Sequence, residues 1–217
     1  KEGLSHLPQA ILNPGDKVLI TNPCYPVHLQ SMLLAGAEPF IVNLTEEEGF
    51  LPNLDKLDKS ILDQIKPFVV NYPNNPTSAV ATYNFFEKLV ALAKKHDFLI
   101  CQDAAYIDIC LSGEKQPSLL SIPGAKDVSI EFYTLSKMFN ICGWRIGFCA
   151  GNKDVVASLG KYKTAIDSGQ FTALQKAAAI GLEECSGEMQ ETLAIYKERK
   201  DILLKGLKKI GLHAFGS

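Results

Sequence analysis

Residues 68–102 read FVVNYPNNPTSAVATYNFFEKLVALAKKHDFLICQ, and this stretch decides the fold. Phe68–Asn71 is a short apolar, β-branched run, the composition of a buried strand. The Pro- and Asn-rich segment behind it breaks the run into a turn. Thr82 then offers an N-cap, and Phe86, Leu89, Val90 and Ala93 recur at helical spacing, which predicts a helix over Thr82–Lys95. Phe98–Gln102 returns to a short apolar run. Strand, helix, strand is a βαβ unit, and such units build a largely parallel sheet buried on both faces.

The same alternation extends outward from this unit. Lys17–Thr21, Pro39–Leu44, Ile130–Thr134 and Ile146–Ala150 read as further strands, and Val27–Ala35, Leu54–Ile65 and Asp154–Ile166 as helices. From Gln170 to Ile210 no strand is visible. Leu193, Tyr196, Leu203, Leu207 and Ile210 form an apolar stripe, interrupted by Lys200, that predicts a long amphipathic helix. Gly211 follows as a C-cap glycine. The class is therefore α/β, and 217 residues are enough for one domain with a substantial core.

Composition narrows the function. The formal net charge of −2 gives no reason to expect nucleic acid as a partner. No apolar run reaches the length that spans a bilayer, and no signal-peptide pattern opens the chain, so no membrane partner is expected. The first residue is Lys1 rather than Met, and the start is not expected to be the natural one. Cys24, Cys101, Cys110, Cys142, Cys149 and Cys185 form no C-x-x-C pair. Several lie in apolar runs, so buried free thiols in a reducing, cytoplasmic setting are the expectation. His6, His28, His96 and His213 are scattered without an H-E-x-x-H, and neither a P-loop nor G-x-G-x-x-G occurs, so no metal is expected.

Ligands of α/β sheets collect beyond the carboxyl ends of the strands. The segments found there are Asn22-Pro23-Cys24-Tyr25-Pro26, Tyr72-Pro73-Asn74-Asn75-Pro76-Thr77, Asp103-Ala104-Ala105-Tyr106, and Leu135-Ser136-Lys137 with Gly143-Trp144-Arg145 close behind. Taken singly, each residue has an ordinary reading. Asn75 suits a turn, Asp103 a turn cap, Lys137 a solvated surface, Tyr25 and Trp144 packing, and Arg145 a surface ion pair. Their convergence on one edge of one sheet, in compatible roles, gives the functional reading its weight.

That combination resembles the fold-type I aminotransferases that use pyridoxal 5′-phosphate (PLP). The resemblance covers nearly the whole chain and rests on Asn71–Thr77, Asp103–Tyr106, and Thr134–Lys137 followed eight residues later by Arg145 within Gly143-Trp144-Arg145-Ile146-Gly147. It implies a three-layer α/β/α sandwich with a mostly parallel mixed sheet. Residues 1–211 would form the PLP-binding large domain, with its long C-terminal helix, and 212–217 the start of a truncated small domain. The resemblance makes Lys137 the Schiff-base lysine and proton shuttle, and Asp103 the partner of the pyridine nitrogen. Tyr106 and Asn75 would bond the 3′ oxygen, and Tyr25 would stack on the ring. Thr134, Ser136, Arg145 and Lys1 would hold the phosphate. Lys1 belongs to a Gly-Ser-Lys-Glu-Gly turn of which only Lys1-Glu2-Gly3 is present. Ser78 stands where many members carry glycine.

The resemblance also implies amino-acid and 2-oxo-acid substrates, a homodimer, and a carboxylate-binding arginine outside this chain. Asp103–Asp108, Ile122–Lys126 and Asp167–Gly169 look most like the LL-diaminopimelate aminotransferases, which act between tetrahydrodipicolinate and glutamate in lysine biosynthesis. Aspartate, alanine or broad-specificity aminotransferases are the alternative. A PLP-dependent C–S lyase shares the same motifs, and a PLP-binding regulatory module fused to a DNA-binding domain is a non-enzymatic reading.

Overall fold

The computed structural model describes residues 1–111 and 115–214. In chain order its elements are α1 (Glu2–Ile11), β1 (Lys17–Asn22), α2 (Pro26–Leu34), β2 (Glu38–Asn43), α3 (Lys59–Leu62) and β3 (Ile65–Asn71). There follow α4 (Tyr83–His96), β4 (Leu99–Asp103), α5 (Ala125–Val128), β5 (Ser129–Thr134), α6 (Leu135–Met138) and β6 (Gly147–Gly151). The chain ends in α7 (Lys153–Thr164), α8 (Thr172–Glu184) and α9 (Ser186–Lys209).

The βαβ unit at β3–α4–β4 forms for the reasons its sequence gives. Thr82 Oγ1 accepts the Phe85 amide at 3.1 Å, capping α4. Phe85, Phe86, Leu89, Val90 and Ala93 turn one face inward, and Lys94, Lys95 and His96 end the helix where its dipole favours cations. The strands line up in the order β2-β1-β3-β4-β5-β6. All neighbours are parallel except β5 and β6, which run antiparallel, so the sheet is mixed as expected. Gly147 and Gly151 allow that close pairing, because a Cβ on either would collide with a β5 carbonyl oxygen, of Tyr133 or Ser129.

Alternate strand residues feed two cores, which makes the three layers. Leu19, Phe68, Val70 and Ile100 pack under α4 with Leu62 and Leu119. Val18, Ile20, Val69, Cys101 and Ile130 pack on the other face against Leu4 and Leu7 of α1, Met32 of α2 and Leu159 of α7. Gly3 lets the start of α1 lie against the Phe132 ring of β5, where a Cβ would fall on the ring.

Two sequence readings are corrected, for Leu54–Ile65 and for the cysteines. Leu54–Ile65 is not one helix but a 3₁₀ turn at Leu54–Lys56, the single-turn α3, and Ile65 as the first residue of β3. Leu54, Leu57 and Ile61 still face the core, so their helix-like spacing arises from turns laid across a packed surface. The long helix expected on the stripe Leu193–Ile210 forms as α9, and α8 precedes it across Cys185. Gly211, at φ +74°, ends α9 in a Schellman arrangement, with Gly211 N–H on the Lys208 carbonyl and Leu212 N–H on that of Leu207. The described residues cover the stripe only in part: Leu193, Tyr196 and Leu207 are half-buried, whereas Leu203 and Ile210 are exposed. Of the cysteines only Cys101 is buried, and Cys142 is exposed. Residues 215–217 of the tail lie outside the described residues.

Candidate active site

The register sets the site. Asn71 pairs with Asp103 across β3 and β4, and Asp103 with Phe132 across β4 and β5, so these strands finish together at one edge. β1 finishes at the same edge and leads to Tyr25, the N-cap of α2. Asn75, Tyr106 and the loop from Thr134 to Arg145 extend from the other strand ends.

Asp103 is the buried centre of this edge. Its Oδ1 accepts the Ala105 amide at 3.2 Å, and its Oδ2 accepts from His28 Nε2 at 2.9 Å. The two donors replace water around a carboxylate taken out of solvent. His28 is buried on α2, and the Tyr25 ring meets it edge-on at 5.6 Å between centroids. Through His28, α2 thus connects Tyr25 to Asp103.

Lys137 sits on the one-turn helix α6. Thr134 caps that turn, its Oγ1 accepting the Ser136 amide at 3.2 Å. Ser136 is buried, and Lys137 Nζ lies over the Tyr106 ring, 5.8 Å from its centroid. At the start of α1, Lys1 Nζ lies over the Tyr25 ring at 5.7 Å. Asp103 and Arg145 both lie within electrostatic range of the Lys1 backbone nitrogen, so the three share one neighbourhood. Arg145 adopts φ +54°, donates from Nη1 to the Cys142 carbonyl at 2.7 Å, and is itself exposed. Gln170 Nε2 donates to the Arg145 carbonyl at 2.8 Å and so ties the segment before α8 to this loop. Trp144, expected to pack, is 44% exposed.

The structure therefore brings Lys1, Tyr25, Asp103, Tyr106, Lys137 and Arg145 to one edge, with Thr134 and Ser136 in the turn that carries Lys137. Asn75 joins them through its backbone, whose amide donates to Asn71 Oδ1 at 2.8 Å. Sequence reading missed His28 and Gln170. For His28 a signal existed, since it follows Tyr25 by three residues on a helix and so projects from the same first turn. For Gln170 there was none, because its bond spans two separate segments. No group of three His, Cys, Asp or Glu residues suited to a metal occurs among the described residues. No described helix is long and apolar enough to cross a membrane.

Chemically, the edge combines a buried carboxylate, an amine above a phenol ring, and a set made up of a guanidinium, the buried Ser136 hydroxyl and the Lys1 ammonium. The last group suits a phosphate-like anion. The model of the class I and II aminotransferases matches residues 1–217. The chain belongs to this family.

Other aminotransferases place it more closely. It is 47% identical to an LL-diaminopimelate aminotransferase of Syntrophobacter fumaroxidans, across 98% of this chain and 55% of that protein. It is 48% identical to the LL-diaminopimelate aminotransferase of Aquifex aeolicus, across 100% of this chain and 56% of that one. The chain thus spans about half the length of the curated relatives it matches. Among solved structures, substrate-bound BacF from Bacillus subtilis superposes with a TM-score of 0.92 at 38% identity, covering 95% of this chain and 52% of BacF. A probable N-succinyldiaminopimelate aminotransferase from Thermus thermophilus superposes at 0.90 with 31% identity, covering 95% of this chain and 55% of that one.

Proposed function

We propose that the chain is the cofactor-binding part of a PLP-dependent aminotransferase that moves an amino group between LL-diaminopimelate and 2-oxoglutarate, in lysine biosynthesis. The observation that carries the reading is the buried Asp103 carboxylate at the same strand edge as Lys137, with Lys1 and Arg145 beside it. That donor set fits PLP group by group. A carboxylate suits a protonated pyridine nitrogen, an amine suits the aldehyde, and two cations with a buried hydroxyl at a helix start suit the phosphate.

PLP, when bound, supplies an electron sink for the carbanion at the substrate Cα. Asp103 would hold the pyridine nitrogen, and His28 bonds the Asp103 carboxylate at 2.9 Å. Tyr25 would face the ring, with Tyr106 and Asn75 as donors to its 3′ oxygen. Thr134, Ser136, Arg145 and Lys1 would hold the phosphate. Lys137, the amine at this edge, would join the cofactor aldehyde and would carry the proton taken from the substrate Cα. Residues 1–211 serve as the large domain, and the working enzyme is a homodimer. The substrate assignment is supported by the identity to LL-diaminopimelate aminotransferases across nearly the whole chain.

The test is to load the chain with PLP, reduce it with borohydride and map the labelled peptide by mass. A phosphopyridoxyl adduct on Lys137 is expected, and an adduct on another lysine overturns the assignment. An amino-donor panel with the full-length protein then checks the substrate: a preference for aspartate or alanine over LL-diaminopimelate refutes that part.

A further inference from the structure

Two amide side chains at the strand ends stand outside the roles described so far. Asn71, the last residue of β3, is 1% exposed. Its Nδ2 donates to the Asp103 carbonyl at 2.7 Å and to the Pro73 carbonyl at 3.3 Å, and its Oδ1 accepts the Asn75 amide at 2.8 Å. Gln102, next to Asp103 on β4 and also 1% exposed, donates from Nε2 to the Tyr72 carbonyl at 2.6 Å. Backbone groups of Tyr72, Pro73 and Asn75 are thus held by side chains, in the place where ladder bonds have ended.

The choice of amides is informative. Only a carboxamide presents donors and an acceptor together, which is what Asn71 needs to reach two carbonyls and one N–H. Gln102 keeps its amide at a cost, since its Oε1 is buried without a partner among the described residues. An apolar residue of similar volume would avoid that cost but could not hold the Tyr72 carbonyl.

We infer that Asn71 and Gln102 are positioning residues that lock the turn carrying Asn75 in register with Asp103. The inference rests on the proposed use of Asn75 and Asp103 as cofactor contacts. Asn71 bonds the backbone of both residues at once, so it sets the spacing between the group offered to the 3′ oxygen and the group offered to the ring nitrogen. Gln102 anchors the start of the same turn.

The test uses the whole chain as parent beside Asn71→Ala, Asn71→Asp and Gln102→Met. Without cofactor, amide exchange in Asn71→Ala is expected to accelerate at least about tenfold at Asn75 while α4 stays protected. PLP binding, followed by fluorescence, is expected to weaken about tenfold. Asn71→Asp separates positioning from mere folding. Its protonated acid keeps one donor and one acceptor, so its affinity deficit against the parent at the same pH should shrink as pH falls.

Gln102→Met preserves volume and carries the same test should Asn71→Ala fail to fold. Unchanged Asn75 exchange, or parental PLP affinity in the variants with Lys137 still labelled, overturns the lock. Failure of the parent to bind PLP overturns the functional reading instead, and the exchange data still decide the lock.

Discussion

The bond between His28 and Asp103 is open to direct measurement. Both side chains are buried, at 2% and 6% exposure, and meet at 2.9 Å. His28→Ala removes one of two donors to the carboxylate, and Asp103 keeps the Ala105 amide at 3.2 Å. A hydrogen bond to a carboxylate contributes about 1.5–3 kcal/mol. The surviving donor places the expected coupling near the lower half of that range, at about 2 kcal/mol. A cycle of parent, His28→Ala, Asp103→Ala and the double variant isolates this coupling from the cavities each truncation leaves. Urea unfolding without cofactor, followed by circular dichroism, is the assay. With a slope of about 2 kcal/mol per molar, the double variant should unfold about 1 M above the midpoint that adding the two single losses predicts. Additivity within about 0.5 kcal/mol would refute the idea that His28 supports Asp103 through this bond.

Two more perturbations probe the scaffold. Ser78 sits at φ +62°, a left-handed conformation that favours glycine, so Ser78→Gly should raise stability by about 1 kcal/mol; a lower urea midpoint would contradict this. Glu131 is fully buried on β5, its Oε2 accepting from Ser118 Oγ at 2.8 Å and the Leu120 amide at 3.1 Å, and burial pushes its pKa above the ordinary 4.5. Because the folded value is raised, its contribution is fully present below pH 4.5 and is lost as pH rises through the folded value. Glu131→Gln should therefore flatten the fall in the urea midpoint above that pH, by up to about 1.4 kcal/mol per pH unit. Asp108, also raised by burial, is present in both proteins, so a parental slope in the variant would show that Glu131 is not responsible.

Most of the sheet was legible because a strand buried on both faces must be continuously apolar. Each predicted run became a strand, as Lys17–Thr21 became Lys17–Asn22 and Phe98–Gln102 became Leu99–Asp103. Thr82 capped its helix because a cap is a local rule. The failures share a cause in tertiary packing. Leu54, Leu57, Ile61 and Leu62 have helical spacing, yet that segment crosses a core surface in short turns. Cys110 and Cys149 lie in apolar surroundings in sequence but remain partly exposed, since burial depends on which element covers them. At the site, residues marked by motifs were legible. Those marked only by a distant partner were not: Gln170 acquires meaning only when the segment before α8 reaches the Arg145 carbonyl.

The antiparallel pairing of β6 has a consequence for how the site can change. A parallel crossover leaves the site edge and returns at the far one, so it contributes to the site at one foot only. The segment 135–146 leaves β5 at Thr134 and rejoins the sheet at Gly147, directly opposite. Lys137 and Arg145 thus ride on a closed cassette with both feet on the same edge. Their separation is set within that cassette, which Gln170 braces from outside through the Arg145 carbonyl. Insertions in the crossovers, such as the one through α4, can drift without disturbing it, whereas one residue added between Lys137 and Arg145 changes their relation at once.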